Sequence, residues 1–133
     1  MESYKQAIAL LKAASSENGF LASKQDITNY KRVWARDGVI CGLAALLDGD
    51  KKLVNTFKYT LITLRENQHK LGNIPSNIFF DDDEVKISYG GLAGRVDTVS
   101  WFIIGCCNYA YKTGDRDFLN DSKSQIFKGL ELL

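Results

Sequence analysis

Two short stretches hold the residues with the most chemistry in them. Val33-Trp34-Ala35-Arg36-Asp37-Gly38 sets an arginine and a carboxylate beside a tryptophan, and Gly94-Arg95-Val96-Asp97-Thr98-Val99-Ser100-Trp101 repeats those residue types. Each aspartate opens a run that is almost wholly apolar: Gly38 to Leu47 after Asp37, and Val99 to Tyr111 after Asp97. A carboxylate at the mouth of such a helix has an ordinary use, because it accepts hydrogen bonds from the first free backbone amides. It has a second use at the floor of a cleft, where it can exchange protons while an indole one turn further on offers a flat apolar face. Taken singly, Asp37 and Asp97 fit either use. The question is whether the chain brings them together.

The elements that must do so read as helices. From Glu2 to Ala14 the apolar residues Tyr4, Ala7, Ile8, Leu10, Leu11 and Ala14 form a helical stripe, with Gly19 as its left-handed terminator. Phe20 to Tyr30 is irregular with an extended piece. A second helix has Asp37 at its N-terminus and ends at Asp48-Gly49-Asp50. A third, about Lys51 to Asn67, lines Leu53, Val54, Phe57, Leu61 and Leu64 along one face. Lys70 to Arg95 reads as a long connection with the acidic run Asp81-Asp82-Asp83-Glu84, and connections of that length tend to be functional. A fourth helix starts at Asp97 and stops at Lys112-Thr113-Gly114. Asp115 or Asp117 caps a fifth, with Phe118, Leu119, Ile126, Phe127, Leu130, Leu132 and Leu133 as its apolar positions.

The expected fold class is therefore all-α. The first, third and fifth helices are amphipathic, while the second and fourth are apolar nearly all round and should be buried on all sides. Helical hairpins in two layers follow, odd helices outside and even helices inside. Short turns make consecutive helices antiparallel, so the second and fourth run parallel and open on the same face. Asp37 and Asp97 then converge, with Trp34, Arg36, Arg95 and Trp101 around them. A convergent pair of carboxylates flanked by arginines and tryptophans is a binding site rather than two unrelated caps.

Composition bounds the partners. At 133 residues, with 45% hydrophobic and 25% charged residues and a net charge of +1, this is ordinary globular material with no electrostatic case for nucleic acid or membrane. Cys41, Cys106 and Cys107 lie in apolar runs and read as buried free thiols, which fits a reducing, cytoplasmic setting. No zinc spacing is present, the N-terminus is not a signal peptide, and no apolar run has the length of a membrane span. The acidic run lacks alternating ligand spacing and reads as a solvated loop rather than a calcium site. His69 reads as a helix-end contact, and Gly90, Gly91 and Gly94 do not form a phosphate-binding fingerprint. No cofactor or metal is expected.

Val33-Trp34-Ala35-Arg36-Asp37-Gly38 resembles the Arg-Asp element of glycosidases built as six-hairpin (α/α)6 toroids, among them glucoamylases, glycogen-debranching amylo-α-1,6-glucosidases and neutral invertases. Gly94 to Phe102 resembles the debranching and invertase element, an Asp followed four residues later by Trp. Gly72-Asn73-Ile74-Pro75-Ser76-Asn77 and Tyr109-Ala110-Tyr111-Lys112-Thr113-Gly114-Asp115 are similar to segments those families carry in the same order. The resemblance implies a glycoside hydrolase acting on an α-glucoside or related carbohydrate. It implies Asp97 as general acid, with Arg36 and Asp37 holding hydroxyls of the sugar in the −1 subsite. Trp34, Arg95 and Trp101 complete the substrate-binding set, the indoles as stacking faces. It also implies inversion at the anomeric carbon, with the general base on a later hairpin outside the chain. Residues 1–133 then correspond to the N-terminal portion of such a catalytic domain, whose open end offers a surface for self-association. The competing reading is a non-catalytic helical-hairpin module that binds protein or carbohydrate; the helix alternation supports both, the Arg36-Asp37 and Asp97 constellation only the first.

Overall fold

The computed structural model describes residues 1–25, 30–81, 84–91 and 96–133. The expected helices are present. They are α1 (Glu2–Ala13), α2 (Ala35–Asp48), α3 (Lys51–Glu66), α4 (Val96–Thr113) and α5 (Arg116–Leu132), and the fold is mostly α. Among the described residues five short strands accompany them: β1 (Ser15–Ser16), β2 (Gly19–Phe20), β3 (Val33–Trp34), β4 (Asn77–Phe80) and β5 (Val85–Ser88).

The strands change the picture of the connections. β1 and β2 form a tight antiparallel hairpin, and β3-β4-β5 form an antiparallel sheet in that order. In the sheet Trp34 lies opposite Asn77 and Val33 opposite Ile78, while Asn77 to Phe80 pair with Ser88 to Val85. The 70–95 connection is thus partly ordered as a hairpin, and Asp81 and Glu84 exchange backbone hydrogen bonds at its tip. Gly19 does not terminate α1, which ends at Ala13 with Ala14 as a right-handed cap. Gly19 instead takes φ +120° in the first hairpin, where a Cβ would stand 2.4 Å from Thr60 Oγ1. That hairpin is clamped to α3: the Phe20 amide donates to Thr60 Oγ1 at 2.9 Å, and Thr63 donates to the Asn18 carbonyl at 2.8 Å.

The core gathers on α3, whose Leu53, Phe57, Leu61 and Leu64 are fully buried against Ala35, Val39, Ala45 and Leu46 of α2 and Val99, Phe102 and Cys106 of α4. Glycines let the three helices approach closely. A Cβ on Gly38 would meet Thr60 at 2.7 Å, one on Gly42 the Phe57 ring at 1.9 Å, and one on Gly105 Leu61 at 2.8 Å. The burial of the apolar helices differs from expectation, because α2 and α4 are not covered on all sides. The amphipathic α3 has the best-covered face, whereas α2 and α4 leave Leu47 86% and Tyr111 90% exposed, with Ile40 and Ile104 also exposed. The reason is geometric: α2 packs against α3 and α4, and α4 against α2, α5 and α3, so the apolar residues these contacts leave over have no layer to enter among the described residues.

Candidate active site

The site begins where β3 turns into α2. Trp34 is still extended (φ −99°, ψ 135°) and provides no side-chain cap, and the Ala35 amide donates to the Ser76 carbonyl at 3.0 Å. Backbone pairing with the sheet thus starts the helix. Arg36 and Asp37 fall inside its first turn, so Asp37 is not the N-cap that its position before Gly38 suggested. Asp97 is likewise the second residue of α4, within the first turn. Both carboxylates still gain from the positive end of a helix dipole.

The structure brings Arg36 and Asp97 together. Arg36 Nη1 donates to Asp97 Oδ2 at 3.4 Å, so the N-terminal turns of α2 and α4 do open side by side. The Arg36 and Asp97 side chains are 55% and 41% exposed, so the pair stands open to solvent among the described residues. The contact is longer than the 2.7–2.9 Å usual for charge-assisted bonds. An exposed pair of this kind adds little stability, which leaves both groups available for other partners.

The remaining residues are placed less tightly. Asp37 is exposed on the first turn of α2, and its carboxylate acts on Cys41, whose thiol is pushed up by burial and then by that negative charge. Trp34 is half-buried, with one face against Tyr30 at 6.0 Å between ring centroids and 28° between planes. Its Nε1 is buried and makes no hydrogen bond among the described residues. Trp101 is half-buried and packs against the hydrophobic core. Arg95 lies outside the described residues.

Three residues near the site were given no individual role in the sequence reading. Tyr30 covers Trp34; Arg32 donates to Asn77 Oδ1 at 3.0 Å and lies 5.3 Å over the Phe79 ring; Asn77 faces Trp34 across the sheet. The aromatic spacing of Tyr30 and Trp34 was a usable signal, whereas the Arg32–Asn77 contact spans the chain and left none. Cys107 proves exposed, unlike Cys106, whose thiol is pushed far up by burial. A recess of about 470 Å³ lies elsewhere, between the β1-β2 turn and the end of β4, lined by Glu17, Lys31, Phe80 and Asp81 among others. No grouping of three or more His, Cys, Asp or Glu side chains fit to hold a metal occurs among the described residues. None of the described helices is long and apolar enough to cross a membrane.

The N-terminal turns of α2 and α4 thus set a guanidinium beside a carboxylate, with Trp34 just before α2 and Trp101 further along α4. Comparison with known proteins places the chain in a family. It matches the profile of the alkaline and neutral invertases over residues 2–133 and belongs to that family. A curated relative, the probable alkaline/neutral invertase D of Arabidopsis thaliana, is 25% identical over 126 residues, covering 82% of this chain and 23% of the relative. The chain therefore spans about a quarter of that relative's length.

Proposed function

We propose that residues 1–133 carry the proton donor and part of the sugar-binding wall of an invertase-type glycoside hydrolase. The observation that carries this reading is the meeting of Arg36 and Asp97 at the mouths of α2 and α4. In the proposed reaction Asp97, protonated, gives its proton to the glycosidic oxygen as the bond to the anomeric carbon breaks. Arg36 and Asp37 hold ring hydroxyls of the sugar, Arg36 exchanging its loose contact with Asp97 for the substrate. Trp34, Trp101 and Arg95 border the pocket, although Tyr30 and the core leave each indole only part of its surface. A second carboxylate, from outside these residues, activates the water.

Separating acid and base enough to admit that water gives inversion; inverting glycosidases hold the two carboxyls roughly 6.5–9.5 Å apart. The substrate class is an α-glucoside, with the invertase branch favoured over the debranching and glucoamylase branches by the family match. The working compartment is the cytoplasm, in line with the free thiols of Cys41, Cys106 and Cys107. The test is Asp97→Asn in the full chain, assayed on an unactivated disaccharide. Loss of about a hundredfold or more in rate is expected for a positioned general acid. Wild-type turnover in that variant removes Asp97 from the role. Sugar binding without any turnover dependent on Asp97 would make the chain a binding module instead.

A further inference from the structure

The backbone from Ile74 to Ser76 touches both helices that carry the candidate site. The Ser76 carbonyl accepts the Ala35 amide at 3.0 Å, at the first residue of α2. Two residues earlier, the Ile74 carbonyl accepts the Thr98 hydroxyl at 2.9 Å, in the first turn of α4. Arg36 follows Ala35 directly, and Asp97 precedes Thr98 directly. One tripeptide is thus bonded to the immediate neighbours of both members of the pair.

The tie is dry and stiff, and the pair it serves is neither. Ile74 and Ala35 are 0% exposed, Thr98 2% and Ser76 4%. Pro75 has a fixed φ and no amide hydrogen of its own. On the far side the Ser76 amide donates to the Ser88 carbonyl at 2.7 Å, and Asn77 pairs with both Trp34 and Ser88. Arg36 and Asp97 are each more than a third exposed and meet only at 3.4 Å. A contact of that kind does not hold two helix ends in register, whereas buried hydrogen bonds to a common backbone segment do.

We propose that Ile74-Pro75-Ser76 is a positioning bridge for the Arg36–Asp97 pair, and that Thr98 is a positioning residue whose hydroxyl sets where Asp97 stands. The catalytic consequence rests on the glycosidase reading; the geometric one does not.

Two measurements on Thr98→Val and Thr98→Ser test it separately. Crystal structures of both variants should show the Arg36–Asp97 contact kept in Thr98→Ser and lost in Thr98→Val, which has the same shape without the donor. In the full chain, Thr98→Val should lower kcat roughly ten- to a hundredfold with KM little changed, the scale of a displacement of about 1 Å at a reacting group. Thr98→Ser should recover most of the rate. A Thr98→Val structure that keeps the contact overturns the bridge, and so does a Thr98→Ser enzyme as slow as Thr98→Val. Should Thr98→Val and Thr98→Ala both fail to fold, the hydroxyl serves the core and the proposal falls. Loss of the contact in a protein that hydrolyses no glycoside would uphold the bridge and sink the glycosidase reading.

Discussion

Replacing Gly42 with alanine should destabilise the protein, against the ordinary trend for helices. An alanine in place of glycine inside a helix usually gains about 1 kcal/mol. Here the new Cβ would stand 1.9, 2.2 and 2.3 Å from three carbons of the Phe57 ring. Reaching an ordinary separation of about 3.5 Å requires a movement of roughly 1.6 Å. Phe57 is fully buried. Its ring meets Tyr109 edge-on at 6.0 Å, and Tyr109 meets Phe118 at 4.8 Å, so displacement is passed from α3 to α4 and α5. Overpacking of a closed core costs about 1–3 kcal/mol, and this site belongs at the upper end. Subtracting the helix gain leaves about 2 kcal/mol of net destabilisation, or a melting midpoint lower by about 8 °C for a chain of this size. Thermal and urea unfolding read this directly. Adding Phe57→Leu to Gly42→Ala should cost less than the two changes summed, because the smaller side chain vacates the space the methyl needs. A Gly42→Ala protein as stable as the wild type would refute the idea that α2 is seated by its glycines.

The Lys58–Asp115 pair should shape stability at both ends of the pH scale. The Lys58 ammonium, then the Phe118 amide, hold the Asp115 carboxyl below its usual range, so its contribution is present above about pH 4 and lost as pH falls through the lowered folded value. The same bond raises Lys58, whose contribution is complete below about pH 10 and lost as pH rises through the raised folded value. Urea midpoints across pH for the wild type and Asp115→Asn check both limbs, which should flatten in the variant. Thr60→Val should cost about 1–3 kcal/mol, since it leaves the buried Phe20 amide without its acceptor; unchanged unfolding would show that water reaches that amide. Alkylation followed by mass spectrometry should modify Cys107 in the native protein and Cys106 only after denaturation, and equal labelling would contradict their placement.

The helices were legible because their apolar residues recur at helical spacing and their ends carry Asp50, Asp115 and glycines. The strands were not. β1, β2 and β3 have two residues each, too few to show a period, and β5 exposes three of its four residues, so Val85-Lys86-Ile87-Ser88 has little buried face to mark. Missing β3 also displaced the start of α2. An aspartate before an apolar run reads as a cap, but α2 emerges from a strand and its first amide is satisfied by the Ser76 carbonyl, which put Asp37 inside the turn.

The approach of the N-termini of α2 and α4 could be inferred nonetheless, as the expected convergence of Asp37 and Asp97, although the contact found joins Arg36 to Asp97. What aligns them could not. The ties run to main-chain carbonyls of Ile74 and Ser76, and any residue type supplies a carbonyl. The donors are just as quiet: Thr98 reads as one more small residue in a helix, and Ala35 contributes only its amide. The side chains of a site can therefore be read from residue types while the parts that hold them stay hidden. For this chain that part is the segment 74–76, which the resemblance marked as a similar stretch without showing its role as a tie, and substitutions beside it should disturb the site without touching Arg36 or Asp97.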